Sequence, residues 1–213
     1  MIVHLFIFVP SISNKMRKRD EIKTELVKEK AIKLLVGTGF DGFSMQKLAK
    51  DCKISVATLY IYYKNKEDLI SKIGIEESTK MFNDSLKNFS SDLSFADGLK
   101  LQWENRANFY LKNPLSAKLI DMLWNSPYGE KILDNSGNQK LRPLLEKFLK
   151  NATKNKQLIP IKSFPVYWSL AYGPLYALIH FHYEKKSADG NDFKFNHQLM
   201  YQTLEIVLKG LTP

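Results

Sequence analysis

The sequence contains few of the residues that cross-link or interrupt small folds. Cys52 is the only cysteine, which excludes an internal disulfide and a four-cysteine zinc module and makes the reducing cytoplasm the expected location. Ten glycines and eight prolines in 213 residues exclude collagen-like and low-complexity chains. No apolar run reaches the roughly 18 residues that a membrane-spanning helix needs. We therefore expect a globular chain with no membrane partner.

The sequence also offers little for catalysis. It has no glycine-rich phosphate loop, and no Ser-His-Asp or Cys-His grouping has a supporting local context. His180 and His182 are two residues apart, or about 200° around a regular helix, so they cannot share one metal ion. We expect no enzymatic activity, no cofactor and no metal. Cys52, beside two lysines, is interpreted as structural, with a low-pKa redox switch as the alternative.

Positive charge is distributed unevenly along the chain. The formal net charge is +10, and residues 15–66 hold 13 Lys or Arg against 6 Asp or Glu. Residues 67–213 are nearly balanced, with 19 basic and 16 acidic residues. This distribution indicates a basic module that binds a polyanion, attached to a nearly neutral body. A solvated, lysine-rich surface is the alternative that charge leaves open.

The first ten residues, MIVHLFIFVP, are apolar and uncharged. A secretory signal would need a basic segment before the apolar one, and none is present. Met16 stands directly before the basic cluster of Arg17, Lys18 and Arg19. We expect synthesis to start at Met16, with residues 1–15 an apolar extension that is not native. A short membrane-associating tail is the alternative.

Apolar residues recur at helical spacing along the chain, which predicts an all-α fold. The first helix is predicted over 17–36, and Gly37 to Gly39 follow its end. Its expected buried stripe is Val27, Ala31, Leu34 and Leu35.

Capping residues and prolines mark the other expected helix starts. Ser44, Ser55 and Asn65 are placed to cap three helices in the first part of the chain. Pro114, Pro143 and Pro165 mark starts at or near their own positions. The helix that begins at Phe164–Pro165 should run to about residue 185 with a kink at Pro174, and the last helix is predicted over 192–210.

Residues 44–63, SMQKLAKDCKISVATLYIYY, predict two short helices joined by a turn. Leu59 and Tyr63 are four apart and should face inward from the second helix. Its outward side is then Val56, Ala57, Tyr60 and Ile61. A two-turn helix held across a packed partner is the geometry that enters a major groove of DNA. A helical hairpin within an ordinary core is the alternative.

This part of the chain resembles the TetR family of transcriptional regulators over roughly residues 20–70. The residues that carry the resemblance are Gly39, Phe40, Ser44, Leu48, Ala49, Ile54, Ser55, Thr58, Leu59, Tyr60, Tyr62, Tyr63, Lys66, Glu67 and Leu69. The resemblance implies a three-helix helix-turn-helix domain, residues 16–66, that binds double-stranded DNA. It also implies an all-helical ligand-binding and dimerisation domain, residues 67–213, and repression relieved by a small molecule.

The chain departs from the family pattern at three positions. Lys53 stands where the family usually has glycine in the turn, so it must accept a positive φ or the turn must change shape. Ala57 replaces a frequent glycine and Tyr63 a usual phenylalanine. The expected DNA-binding residues are Arg17, Lys18, Arg19, Ser44, Ser55, Val56, Ala57, Thr58, Tyr60, Ile61, Tyr62, Lys64 and Lys66.

The outward apolar residues of the second short helix predict an unusual mode of base reading. Val56, Ala57 and Ile61 cannot make the bidentate hydrogen bonds that arginine or asparagine make to bases. Specificity is then expected from contact with thymine methyl groups and from DNA shape.

The body of the chain is rich in aromatic residues, which suits an apolar or aromatic small-molecule effector. The candidate pocket residues are Trp103, Phe109, Trp124, Tyr128, Trp168 and Tyr172. Each of them, taken singly, is more typical of an ordinary helix-bundle core, and the pocket is expected of the set because the family resemblance implies one. The two C-terminal helices are expected to form a homodimer interface, so that the operator is a palindrome. An enzyme that uses the aromatic cavity and a protein-interaction module without specific DNA binding are the rival functions.

Overall fold

A computed structural model describes residues 12–213 and the side chains from residue 24 onward, apart from those of Asn138 and Lys140. The described chain consists of ten helices and one isolated antiparallel bridge, Lys186 to Asp192. The helices are α1 Ile12–Gly42, α2 Met45–Cys52, α3 Val56–Tyr62, α4 Lys66–Ser85, α5 Phe95–Lys112, α6 Pro114–Trp124, α7 Gly129–Asn135, α8 Asn138–Lys154, α9 Phe164–Glu184 and α10 His197–Leu211. The all-α prediction is confirmed.

The chain divides into two compact units between Ile73 and Gly74. The sequence places the domain boundary at residues 66–67, where α4 begins. The structure places it later because Leu69, Ile70 and Ile73 are buried and belong to the N-terminal unit. A helix start is therefore a poor guide to this boundary.

The N-terminal unit is built around the apolar side of α1. Val27, Ala31 and Leu35 are at most 3% exposed, as the predicted stripe requires, whereas Leu34 is only half-buried. The helix continues to Gly42, beyond its predicted end, but Gly39 leaves the helical conformation at φ 68°. The glycine thus interrupts the helix where the sequence indicates, and a further short turn follows it.

The turn between α2 and α3 is closed by a residue in the left-handed conformation. Lys53 has φ 55° and ψ 43°, the first of the two alternatives that the sequence leaves open. Its N–H donates to the Lys50 carbonyl at 3.1 Å, and the Ile54 N–H donates to the Ala49 carbonyl at 3.0 Å. These two bonds form a Schellman motif, which fixes where the chain leaves α2.

The C-terminal unit is a helical bundle with an aromatic core. The ring of Phe148 on α8 contacts Phe89 and Phe95, with centroids 5.1 Å and 5.9 Å apart. Gly98 lets α5 and α8 approach closely, because a Cβ there would lie 2.5 Å from the Phe148 ring. Trp103 on α5 donates its indole N–H to the Ala171 carbonyl of α9 at 2.7 Å. The core therefore joins α5, α8 and α9.

Two predicted helix starts in the body are wrong. Pro143 lies inside α8, five residues after its first residue, and not near its start. The last helix begins at His197, because Asn196 caps it with a 2.8 Å bond from the Leu199 N–H. The starts at Pro114 and Phe164–Pro165 are confirmed, and Pro174 lies within an unbroken α9.

None of the helices in the described range is both long enough and apolar enough to cross a membrane. Among the same residues, no three His, Cys, Asp or Glu side chains are grouped to hold a metal ion.

The strained turn at Lys53 predicts a stabilising substitution. Lys53→Gly should raise the free energy of unfolding by about 1 kcal/mol, because glycine adopts the left-handed conformation without a steric cost. Urea denaturation of the full chain, followed by circular dichroism, measures the change. The control is Lys50→Gly, at an exposed position inside α2, which should lower the free energy by about 1 kcal/mol. If both variants changed the free energy of unfolding in the same direction, the left-handed conformation of Lys53 would be contradicted.

Candidate nucleic-acid interface and buried aromatic cluster

The helix α3 has one buried anchor and an exposed side. Leu59 is 0% exposed, whereas Tyr60 is 50% and Ile61 is 75% exposed. Ala57 is also exposed and lies with Tyr60 and Ile61 on one helix face, and the exposed Lys64 follows just after the end of α3. Val56 is only half-buried. The structure thus agrees with the sequence in placing Leu59 on the inward side of α3 and Tyr60 and Ile61 on its outward side.

Serine caps hold both short helices at the positions that the sequence indicates. The Ser44 hydroxyl accepts from the Lys47 N–H at 3.2 Å, and the Ser55 hydroxyl accepts from the Thr58 N–H at 3.1 Å. The Ser55 and Thr58 hydroxyls also bond to each other at 2.8 Å. Ser55 and Thr58 therefore shape the start of α3, in addition to any contact with DNA.

The segment after α3 is fixed by a carboxylate. Asp68 accepts from the Lys64 N–H and from the Lys72 ammonium, both at 2.9 Å. Asn65 accepts in turn from the Asp68 N–H at 2.8 Å. The bond from the Lys64 N–H and that from Lys72 lower the pKa of Asp68 below its usual value, so it is charged at neutral pH. Lys64 is thereby held at the exposed end of α3.

Lys66 differs from Lys64 in its surroundings. Its ammonium donates to the Phe40 carbonyl at 2.6 Å and lies 5.9 Å from the centroid of the Phe43 ring. It ties the start of α4 to the end of α1, and only its remaining donors are available to a phosphate. The half-buried Tyr62 accepts through its carbonyl from Lys72 at 3.2 Å. Arg17, Lys18 and Arg19 belong to α1, and their side chains lie outside the described ones.

Cys52 is buried and 6% exposed. Burial, and then the nearby Asp51, raises the pKa of its thiol above the usual value. The burial and the raised pKa both favour the packing interpretation of Cys52 over the low-pKa redox alternative.

Five of the six predicted pocket residues, Trp103, Phe109, Trp124, Trp168 and Tyr172, lie in or against one apolar core cluster, which does not include Tyr128. Trp103, Phe109 and Tyr172 are at most 2% exposed, and Trp168 lies 4.6 Å from Tyr172 between ring centroids. Trp124 instead stacks on Phe82, with centroids 5.8 Å apart. Tyr128 precedes α7 and is half-buried.

Two grooves in the C-terminal unit are lined by residues other than these six. One, of ≈ 480 Å³, is lined by Leu149, Lys150, Thr153, Lys154, Leu158, Ile161 and Tyr167. The other, of ≈ 660 Å³, is lined by Leu111, Pro114, His182, Tyr183, Lys185, Asp192, Phe193 and Lys194.

The sequence analysis misses the most unusual residue of the aromatic cluster, Arg106. Arg106 is 0% exposed, and its guanidinium carbon lies 5.1 Å from the Trp168 ring and 4.7 Å from the Tyr172 ring. Its Nη1 donates to the Tyr176 hydroxyl at 2.9 Å. The signal was present: Leu99, Trp103, Arg106 and Tyr110 share one helical stripe of α5, so an arginine occupies a core position.

Comparisons with known proteins agree with the helix-turn-helix geometry. Residues 29–73 match the sequence model described as bacterial regulatory proteins, tetR family. An HTH-type transcriptional regulator of Haemophilus influenzae is 26% identical over 106 residues, which cover 50% of this chain and 57% of that protein. The regulator YuxN of Bacillus subtilis is 33% identical over 87 residues, or 39% of this chain and 30% of its own. The chain thus matches less than two thirds of the length of either relative.

The fold is similar over nearly the whole chain to that of a solved structure. A TetR family transcription regulator from Marinobacter aquaeolei superposes with a TM-score of 0.75 and 21% identity. The superposition covers 92% of this chain and 98% of that protein. This likeness shows that the two proteins share a fold, and the sequence matches are to HTH-type and tetR family transcriptional regulators.

The two lysines that follow α3 should differ in their effect on stability. Lys66→Ala should lower the free energy of unfolding by about 1–2 kcal/mol, because it removes a charged hydrogen bond to a partly buried carbonyl. Lys64→Ala removes an exposed ammonium and should change it by less than about 0.5 kcal/mol. Urea denaturation of the two variants measures both changes. A Lys66→Ala variant as stable as the parent would show that the bond to Phe40 contributes nothing.

Proposed function

We propose that the chain is a TetR family transcriptional regulator, as the match of residues 29–73 supports, and that it represses transcription as a homodimer on a palindromic operator. A small-molecule effector releases the dimer from DNA in this proposal. The site of action is the cytoplasm, where bacterial DNA lies.

The observation that carries the proposal is the exposed side of α3. A short helix that buries Leu59 while it leaves Tyr60 and Ile61 to solvent has the size and presentation of a reading helix in a major groove. Exposed apolar side chains need a reason in a basic domain, and contact with base edges supplies one.

Base reading and backbone anchoring fall to different residues. Val56, Ala57 and Ile61 offer methyl and methylene groups, which suit thymine methyls and leave guanine and adenine edges without bidentate partners. The phosphate groups of the DNA backbone are bound by hydroxyl and cationic side chains. These are Ser44, Ser55, Thr58, Tyr60, Tyr62, Lys64, Lys66 and the basic arm of Arg17, Lys18 and Arg19. Lys64 is the strongest of the described candidates, since its ammonium is exposed and Asp68 fixes its backbone.

The dimer uses an apolar surface of α9 and α10. Val166 and Leu170 on α9 are each 49% exposed, and Ile206 on α10 is 72% exposed. Val166 and Leu170 are four apart and share one side of α9. Apolar side chains clustered on two helices of one unit are typical of a self-complementary interface.

Release follows from linkage between the effector and DNA. The effector binds more tightly to a dimer arrangement in which the two α3 helices no longer fit successive major grooves, and so lowers DNA affinity by mass action. Pro174 in α9 and the segment that follows α4 are the candidate moving parts.

Selection from a random DNA pool with the purified chain, at two salt concentrations, tests DNA binding. The expected product is a palindrome whose half-sites are about 34–36 Å apart, or a multiple of that, with thymine at the position that Ile61 contacts. Ile61→Ala should relax one position in each half-site. Lys64→Ala should weaken all sequences about equally and reduce the salt slope by about 1 per subunit.

The control for these variants is Lys131→Ala, which removes an exposed lysine of the C-terminal unit and should leave DNA binding unchanged. Half-sites rich in G and C without thymine preference would contradict the reading mode. A pool that yields no enriched sequence would contradict DNA binding and favour the protein-interaction module.

The dimer interface is tested by charge substitution. Leu170→Glu and Ile206→Glu should each convert the dimer to monomer in analytical ultracentrifugation, because a carboxylate cannot be buried without a partner. Both should also weaken binding to the palindrome. Leu115→Glu, at a position of α6 that is 40% exposed, is the matched control and should leave the dimer intact. Dimers that persist in both variants would place the interface elsewhere.

A further inference from the structure

Arg106 is a buried cation without a carboxylate partner among the described residues. Its side chain lies at a core position of α5, and it takes part in no ion pair there. The described groups that act on its charge are the phenols of Tyr176, Tyr172 and Tyr110. Burial disfavours the charged form, whereas the hydrogen bond to the Tyr176 oxygen favours it, and an arginine is not deprotonated in proteins. Arg106 therefore carries its full positive charge inside the unit.

Only part of the guanidinium is satisfied. The Trp168 and Tyr172 rings lie next to each other within 5.1 Å of its guanidinium carbon, and Nη1 donates to Tyr176. Nε and Nη2 make no hydrogen bond of ordinary geometry with any described residue. Donors without a hydrogen-bond partner destabilise a protein core. Their presence here therefore indicates a functional role, such as binding a ligand.

The unsatisfied atoms belong to one edge of the group. In a planar guanidinium, the N–H bonds of Nε and Nη2 lie side by side and nearly parallel, at the spacing of two carboxylate oxygens. Tyr176 occupies a donor on Nη1, outside this edge. This edge, which lies near the Tyr172 hydroxyl, has the donor geometry that suits a carboxylate.

Other polar groups without partners lie in the same helices. Gln102, one turn before Arg106 on α5, is 0% exposed and its side-chain amide makes no hydrogen bond within the described chain. The buried hydroxyls of Tyr167 and Tyr172 on α9 lie close to each other, without a hydrogen bond of ordinary geometry. Tyr167 contacts Tyr172, with centroids 6.1 Å apart, and also lines the groove of ≈ 480 Å³. The apolar lining of that groove, which includes Leu149, Leu158 and Ile161, thus begins beside the cluster.

We propose that the effector is a monocarboxylate with an apolar or aromatic body, and that its carboxylate binds the Nε and Nη2 edge of Arg106. One cation in an aromatic shell balances one negative charge, which favours a carboxylate over a doubly charged phosphate. The proposal rests on the regulatory function above for the existence of an effector. The sequence predicts an apolar or aromatic effector, and the proposal adds an anionic carboxylate to that apolar body.

The test compares carboxylates with their primary amides, which have the same shape and no charge. The full chain, without DNA, is melted in the presence of 3-phenylpropionate, 2-naphthoate, octanoate and decanoate, and of each amide. At least one carboxylate should raise Tm by about 5 °C at saturation and bind tenfold or more tightly than its amide. Quenching of tryptophan fluorescence gives the affinities, since Trp168 stacks on Arg106.

Substitutions at Arg106 separate a ligand site from a structural role. Arg106→Met should abolish the preference for carboxylates and leave Tm of the free protein unchanged or higher, because it removes an unpaired buried cation. Arg106→Lys keeps the charge without the parallel donors and should bind about tenfold more weakly than the parent. Arg142→Met, which removes an exposed arginine of α8, is the matched control and should keep the full response.

Each outcome bears on the proposal. It is overturned if no carboxylate binds more tightly than its amide, or if Arg106→Met keeps the preference. If Arg106→Met does not fold, Arg106→Lys decides, and an unchanged affinity in that variant overturns the proposal. Because no DNA is present, a failure here leaves the repressor function standing, and a chain that selects no DNA can still bind carboxylates at Arg106.

Discussion

A helix of seven residues is too short to be stable in water by itself, and the N-terminal unit depends on how α3 is held. Leu59 buries one side, the Schellman turn at Lys53 sets the direction of entry, and the Ser55 hydroxyl caps the helix by accepting from the Thr58 N–H. Asp68 then fixes the chain just beyond the exit. Since these supports lie on the inner side and at the ends, the outer side of α3 is free to carry residues chosen for another purpose.

Local chemistry explains why much of this unit is predictable from the sequence. The caps at Ser44, Ser55 and Asn65 each bond to an N–H group three residues later in the chain. Because both partners are close in sequence, these caps can be predicted from the sequence alone, and the structure confirms them. Pro143 and the start of α10 are predicted wrongly, because tertiary packing tolerates a proline inside α8 and a cap at Asn196 outweighs the polar turn before it.

Long-range contacts are what the sequence does not reveal. The partners of Arg106 are about 60 to 70 positions away on α9, and no local pattern joins α5 to α9. The sequence also does not show which neighbours each of the six predicted aromatic residues has: Trp168 lies against Tyr172, whereas Trp124 stacks on Phe82. The same reason separates Lys64 from Lys66, which look alike in the sequence but differ in the structure because the Phe40 carbonyl lies within reach of only one ammonium.

The burial of Cys52 has a practical consequence for spectroscopy. As the only thiol of the chain is enclosed behind α2, a cysteine introduced on the outer side of α3 would be the sole site readily alkylated by a nitroxide or a fluorophore. Inter-label distances in an assembled pair of chains then become accessible in an otherwise native background.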